Sequence, residues 1–248
     1  FTRHDDGHAY SLYLSQIIER INRRKREELE QLVPNFPLGL PYFQDFGYFT
    51  LEHGIDWLSN LTGGVPQPFL GYFHFLPPHY PYNTRIDFLD DFVDDGYQPI
   101  EKPLNFFQEN KPEETIYTQR RWYDEFILYV DAEFNRLYQY LEQTGVLENT
   151  WLILTSDHGE IFERGIIRHE APVYYRPAIN VPLVIFPPGQ DSRADIYENT
   201  SAIDLLPTLA HLAGEAIPTW AEGKLMPPFV SPDENEQKDI TTVYVYDR

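Results

Sequence analysis

Residues 150–160 read TWLILTSDHGE. The apolar run Trp151–Leu154 is bounded by threonines and is short, which predicts a strand. An acid, an imidazole and a glycine follow directly. On a strand, Asp157 and His158 would point to opposite faces. Just past the strand end, on a backbone that turns at Gly159, the two side chains can converge on one point. A carboxylate and a neutral imidazole are both good ligands for a divalent ion, so that point is a candidate metal site.

The rest of the chain bounds the chemistry. Its 248 residues suffice for one large α/β domain or two small ones. Hydrophobic residues make up 42% and aromatics 16%, enough for a packed core. The net charge of −20 argues against nucleic acid as a partner, because phosphate contacts need clustered Lys and Arg. It does not argue against an anionic substrate, since a bound cation inverts the local field. The chain has no cysteine, which excludes disulfides and thiolate zinc sites and leaves the compartment unread. No apolar run is long enough to span a membrane. The chain opens on Phe1 and closes on the strand-like TTVYVYDR, and we expect a piece of a longer protein.

Periodicity predicts a helix over 11–32, with Leu14, Ile17, Ile18, Ile21, Leu29 and Leu32 on one face. Its basic run Arg23–Arg26 reads as a solvated face. TLEHGIDWLSNL (50–61) predicts a short helix capped by Thr50. PFLGYFHFL (68–76) reads as a buried parallel strand, followed by the proline-stiffened loop PPHYPYNTR. The acidic, proline-dotted segment 84–112 reads as an insertion or lid-like loop. The clearest helix covers 115–143, with Trp122, Phe126, Val130, Phe134, Leu137 and Leu141 recurring every three or four residues and Gly145 ending it. VPLVIF (181–186) is a second strand. TSAIDLLPTLAHLAG (200–214) is a helix with Ser201 and Asp204 as a capping box. Strands alternating with helices predict an α/β fold, a mostly parallel sheet sandwiched between helices. Sites in such sheets lie beyond the carboxyl ends of strands. His79 and Asp157–His158 both follow predicted strands.

Two further histidines are candidates. His79 sits between prolines, which lower the entropy of holding its ring in one pose. His169 follows Arg168, whose guanidinium can grip sulfate or phosphate oxygens in a bidentate way.

At this point the pattern resembles the sulfatase family of the alkaline-phosphatase superfamily. Residues 123–160 match its Tyr-led helix with a mid-way Asp, then a Gly turn, Asn-Thr, an apolar strand and Ser-Asp-His-Gly. Those positions are Tyr123, Asp131, Gly145, Asn149, Thr150, Ser156, Asp157, His158 and Gly159. RHEAPVYYRPAINVPLVIFPPG, SAIDLLPTLAHLAG and FHFLPPHYPY resemble three further motifs of the family, in the right order. The resemblance covers about residues 50–82 and 115–216.

The resemblance implies that Asp157 and His158 are metal ligands, the ion being calcium, manganese or zinc. It implies that His79 and His169 touch the ester oxygens or the leaving group, as catalytic and substrate-binding residues, with Arg168 close by. It implies a sulfate ester of a small molecule, glycan or lipid as substrate. A phosphodiester or phosphonate hydrolase, or a phospho-group transferase, of the same superfamily is the alternative. A non-catalytic binding module is the alternative from another class. The family's Cys-or-Ser-x-Pro-x-Arg nucleophile motif does not occur in this chain. HDDGH (4–8) has no strand before it and reads as a polar stretch, not as the family's early metal ligand. The expectation is therefore one partial sulfatase-like domain over 1–248, beginning after the nucleophile and inactive by itself.

Overall fold

The computed structural model describes residues 32–43, 47–48, 50–98, 101–106, 110–169, 174–189 and 192–230. Most of the expected 11–32 helix, HDDGH and the C-terminal strand lie outside them. The described strands are β1 (Tyr42–Phe43), β2 (Gly47–Tyr48), β3 (Leu152–Thr155), β4 (Ile161–Glu163), β5 (Ile166–Arg168) and β6 (Leu183–Phe186). The helices are α1 (Leu51–Thr62), α2 (Glu113–Gln143), α3 (Arg176–Ile179) and α4 (Leu205–Leu212). The α/β class read from the sequence holds. The strands read from TWLILT and VPLVIF are neighbours, β3 beside β6. Two antiparallel ladders, β1–β2 and β4–β5, form separate two-stranded sheets. No described helix is long and apolar enough to cross a membrane.

The described residues fall into two compact units. The first runs up to Leu152 and takes in Glu160–His169 and Ile185–Gly189. Its frame is α2 against α1. One face of α2 buries Ile116, Phe126, Tyr129, Leu137 and Leu141. Phe36, Leu40, Leu51 and Tyr82 pack with Phe126 and Tyr129, and Ile55 and Leu58 pack with Leu137 and Leu141.

Two acids interrupt the apolar face of α2. Glu133 is held by Arg85 at 3.1 Å and Arg136 at 2.7 Å. Glu125 accepts the Asp90 amide at 3.1 Å. Burial raises the Glu125 carboxyl, with Arg121 opposing and Asp90 reinforcing. Thr50 stands at the α1 N-cap as expected, but its hydroxyl meets the His53 ring at 2.9 Å. The cap comes from Tyr129 instead, whose hydroxyl accepts the Leu51 N–H at 3.1 Å and donates to Glu52. An N-terminal amide needs an acceptor, and a buried phenol on a neighbouring helix supplies it as well as a local hydroxyl.

The run 69–76 forms no strand. Phe73 and Phe75 pack on the core while Leu70 and Tyr72 are exposed, so only one face of this extended run is buried. The 84–112 segment is docked rather than loose where it is described. Asn105 and Lys111 donate backbone N–H groups to Arg164 and Gly165, at 3.0 and 2.8 Å.

Among the described residues, the second unit comprises Ile153–Gly159, 174–184 and 192–230. Its predicted capping box is present, with Asp204 Oδ2 accepting the Ser201 amide at 2.9 Å. The other Asp204 oxygen accepts the Lys224 amide at 2.9 Å, which ties the chain after α4 back to the start of that helix.

Candidate functional site

In the first unit the site is built on a hairpin that sequence reading missed. β4 and β5 are joined by Arg164 and Gly165 alone, both at positive φ (58° and 77°). That is the backbone a two-residue primed turn demands. The register pairs Ile161 with Arg168, Phe162 with Ile167 and Glu163 with Ile166. The next pair outward is therefore Glu160 opposite His169, and facing residues of a ladder touch. His169 Nδ1 lies 2.8 Å from Glu160 Oε1. A carboxylate can only accept, so the Nδ1–H of His169 donates.

Glu160 is nearly sealed, its side chain 3% exposed. Its second oxygen accepts the Tyr82 hydroxyl at 2.9 Å. Tyr82 is buried among Tyr123 and Phe162, in edge-on contacts of 5.3 and 5.8 Å. Burial, then the Glu160 charge, pushes the Tyr82 hydroxyl far above its ordinary range, so it stays protonated and donates. Tyr123 is pushed up to about 12, again by burial first and Glu160 second.

His79 comes to the same place. Its ring stands 5.4 Å from that of His169, at 63°. Its Nδ1 donates to the carbonyl of Tyr80 at 2.7 Å. The loop that carries it is pinned from below by Tyr82 and by Thr84, whose hydroxyl donates to the Glu125 carbonyl at 3.0 Å. Arg168 lies with its guanidinium carbon 3.6 Å from the centroid of Tyr80, a cation–π contact beside the same loop. Three of the residues singled out from sequence thus gather in this unit. Both imidazoles hold Nδ1 in a hydrogen bond, which fixes the tautomer of each neutral ring. Glu160 and Tyr82 were not foreseen.

Asp157 and His158 belong to the second unit. Ser156 Oγ donates to the His158 carbonyl at 2.7 Å, and Gly159 N donates to Ala178 O at 2.8 Å. The glycine is needed for close approach: a Cβ there would stand 2.1 Å from the Pro177 carbonyl oxygen. His158 Nδ1 donates to the Gly159 carbonyl at 3.0 Å, which makes Nε2 the unprotonated nitrogen of the neutral ring. That nitrogen is 3.8 Å from Asp157 Oδ1. Two ligands about 2.1 Å from one tetrahedral ion are about 3.4 Å apart. A small adjustment would bring the pair to the spacing of two ligands of one divalent ion.

A family model described as Sulfatase matches residues 44–215, more than half of the chain. This chain belongs to the sulfatase family. It is 30% identical over 190 residues to a protein named uncharacterized sulfatase YidJ of Escherichia coli K12, covering 66% of this chain and 36% of that one. It is 30% identical over 178 residues to a choline-sulfatase of Rhizobium meliloti, covering 63% and 34%. The sulfatase-family chain thus spans about a third of the length of these curated relatives. A solved structure from work on the metabolism of multiple glycosaminoglycans by Bacteroides thetaiotaomicron aligns at a TM-score of 0.55 and 24% identity. The alignment covers 77% of this chain and 41% of that one, and it shows a shared fold.

Proposed function

We propose that the intact protein is a hydrolase of sulfate esters that works with a divalent metal ion. One observation carries the reading: two imidazoles from separate segments, His79 and His169, stand together with both Nδ1 atoms anchored. Membership of the sulfatase family supports the choice of sulfate over other esters.

In this reading the chain is one partial sulfatase-type domain, with 84–112 as an insertion. Asp157 and His158 hold the ion, which when bound neutralises charge on the ester's non-bridging oxygens and activates a nucleophile. His79 and His169 present Nε2 to the departing oxygen. As the sulfur–oxygen bond breaks, negative charge grows there, and a protonated Nε2 donates to it or protonates it. Arg168 adds fixed positive charge beside the same loop. The substrate is a small-molecule, glycan or lipid sulfate.

The test is steady-state hydrolysis by the intact, metal-loaded protein. An aryl sulfate and an aryl phosphodiester are offered side by side. Preference for the sulfate by kcat/KM is expected. Preference for the phosphodiester would overturn the sulfate assignment in favour of phosphoryl chemistry. Turnover of neither, with simple sulfate binding retained, would mark a binding module.

A further inference from the structure

We infer that Glu160 is a positioning residue, which fixes the His169 imidazole in the tautomer protonated on Nδ1 and is itself locked by Tyr82. The inference rests on the proposed role of His169 and extends it to the group behind the ring.

The hairpin register makes Glu160 the cross-strand neighbour of His169, so the contact is fixed by two short strands and not by a mobile loop. The carboxylate faces two donors, His169 Nδ1 at 2.8 Å and the Tyr82 hydroxyl at 2.9 Å. It is almost wholly removed from water while the His169 side chain keeps 34% exposure. The pair thus has an inner, sealed end and an outer, accessible end. Tyr82 cannot swing away, because Tyr123 and Phe162 enclose it.

A carboxylate behind an imidazole does two things. It excludes the tautomer with the proton on Nε2, since that form would set the Nδ1 lone pair against the Glu160 oxygen. It also faces the positive charge that forms when Nε2 is protonated. The proton that passes between Nε2 and the leaving oxygen then moves at one defined atom while the sulfur–oxygen bond breaks. Structural burial of a glutamate by Tyr82 alone would need only one of its oxygens.

The test uses the intact protein with ¹⁵N-labelled histidine and four variants: Glu160→Gln, Tyr82→Phe, His169→Ala and the double variant Glu160→Gln/His169→Ala. In the wild type, the His169 ring signals should report the proton on Nδ1. In Glu160→Gln, kcat should fall about 10²-fold or more with KM little changed, because donation from Nε2 needs the ring protonated on both nitrogens and the variant removes the carboxylate that faces that charge. The ring signals should move toward the Nε2-protonated form. Tyr82→Phe should lower kcat by about tenfold, the cost of one loosened hydrogen bond. It also stands in for Glu160→Gln if that variant does not fold. The double variant Glu160→Gln/His169→Ala should be no slower than His169→Ala alone, because residues acting as one unit are not additive. An unchanged His169 tautomer in both the Gln and Phe variants would overturn the inference whatever the rates. So would multiplicative losses in the double variant. A wild-type rate in His169→Ala would instead overturn the proposed role of His169, and the ring signals still decide whether Glu160 sets its tautomer.

Discussion

The rings of His79 and His169 stand 5.4 Å apart, although one comes from a proline-flanked loop and the other from the end of a hairpin. Both Nδ1 atoms are committed, His79 to the Tyr80 carbonyl and His169 to the buried Glu160. Two such rings side by side are more than packing requires, since apolar groups would fill the same space without polar anchors to satisfy.

From this follows the first prediction. His79→Ala and His169→Ala should each lower kcat for an aryl sulfate by about 10²-fold or more in the intact protein. Because the rings touch, the double variant should lose less than the product of the two. Steady-state kinetics on the three variants checks both points. Wild-type kcat in either single variant would remove that residue from the chemistry.

How much of this was legible beforehand depends on the range of each signal. The α2 helix and the α4 capping box were readable because their signals are local: a 3.6-residue rhythm in one case, Ser201 and Asp204 three apart in the other. His79, His169 and Arg168 were found by residue type, yet nothing local said that they meet. The β4–β5 hairpin carried a signal that went unread. In EIFERGIIRH, two short apolar runs flank Arg-Gly, and the glycine marks a tight turn. Extending that pairing by one residue puts Glu160 opposite His169. The burial of Glu125 and Glu133 was not readable from periodicity, because beside Arg121 and Arg136 on the same helix they rely on Asp90 and Arg85, which come from a loop far away in sequence.

Glu125 gives a pH-dependent prediction. Burial raises its carboxyl in the folded state, so protonation favours the fold. Its contribution to stability is greatest below the unfolded carboxylate pKa and is lost as pH rises through the higher folded value. Glu125→Gln mimics the protonated form at every pH. Relative to wild type it should gain on the order of 1 kcal/mol between pH 4 and pH 7, the size of a typical mismatch at a buried polar group. Denaturant melts of both proteins at the two pH values measure this. A difference that is flat or shrinks with pH would show that Arg121 keeps the charge fully compensated.

Gly159 tests the turn that carries Asp157 and His158. A Cβ at 159 would meet the Pro177 carbonyl oxygen at 2.1 Å, well inside contact distance. Backbone cannot yield as a side chain can, and the Gly159–Ala178 hydrogen bond would be pushed apart with it. Gly159→Ala should cost about 1–3 kcal/mol, the range for overpacking a closed site. An unchanged unfolding midpoint would mean that the turn relaxes freely.

The last prediction concerns the metal. His158 donates from Nδ1 to the Gly159 carbonyl, which orients the ring and makes Nε2 its unprotonated nitrogen. Asp157 Oδ1 stands 3.8 Å from that nitrogen and accepts the His158 amide at 3.0 Å, so both proposed ligands are held by the backbone beside them. A nitrogen ligand beside a carboxylate favours manganese or zinc over calcium, which prefers an all-oxygen shell. The intact protein, stripped with a chelator and dialysed against equal concentrations of the three ions, should retain manganese or zinc in preference to calcium. Asp157→Asn and His158→Ala should each lower retention by more than the roughly 10–100-fold typical of losing a residue that merely supports a ligand. His158→Asn should shift the preference back toward calcium, because it replaces the nitrogen by an amide oxygen at the same backbone position. Elemental analysis of the dialysed proteins reads all of these without reference to turnover. Equal retention by wild type and both ligand variants would place the ion elsewhere. A calcium preference in the wild type would show that oxygen ligands outside this pair dominate the shell.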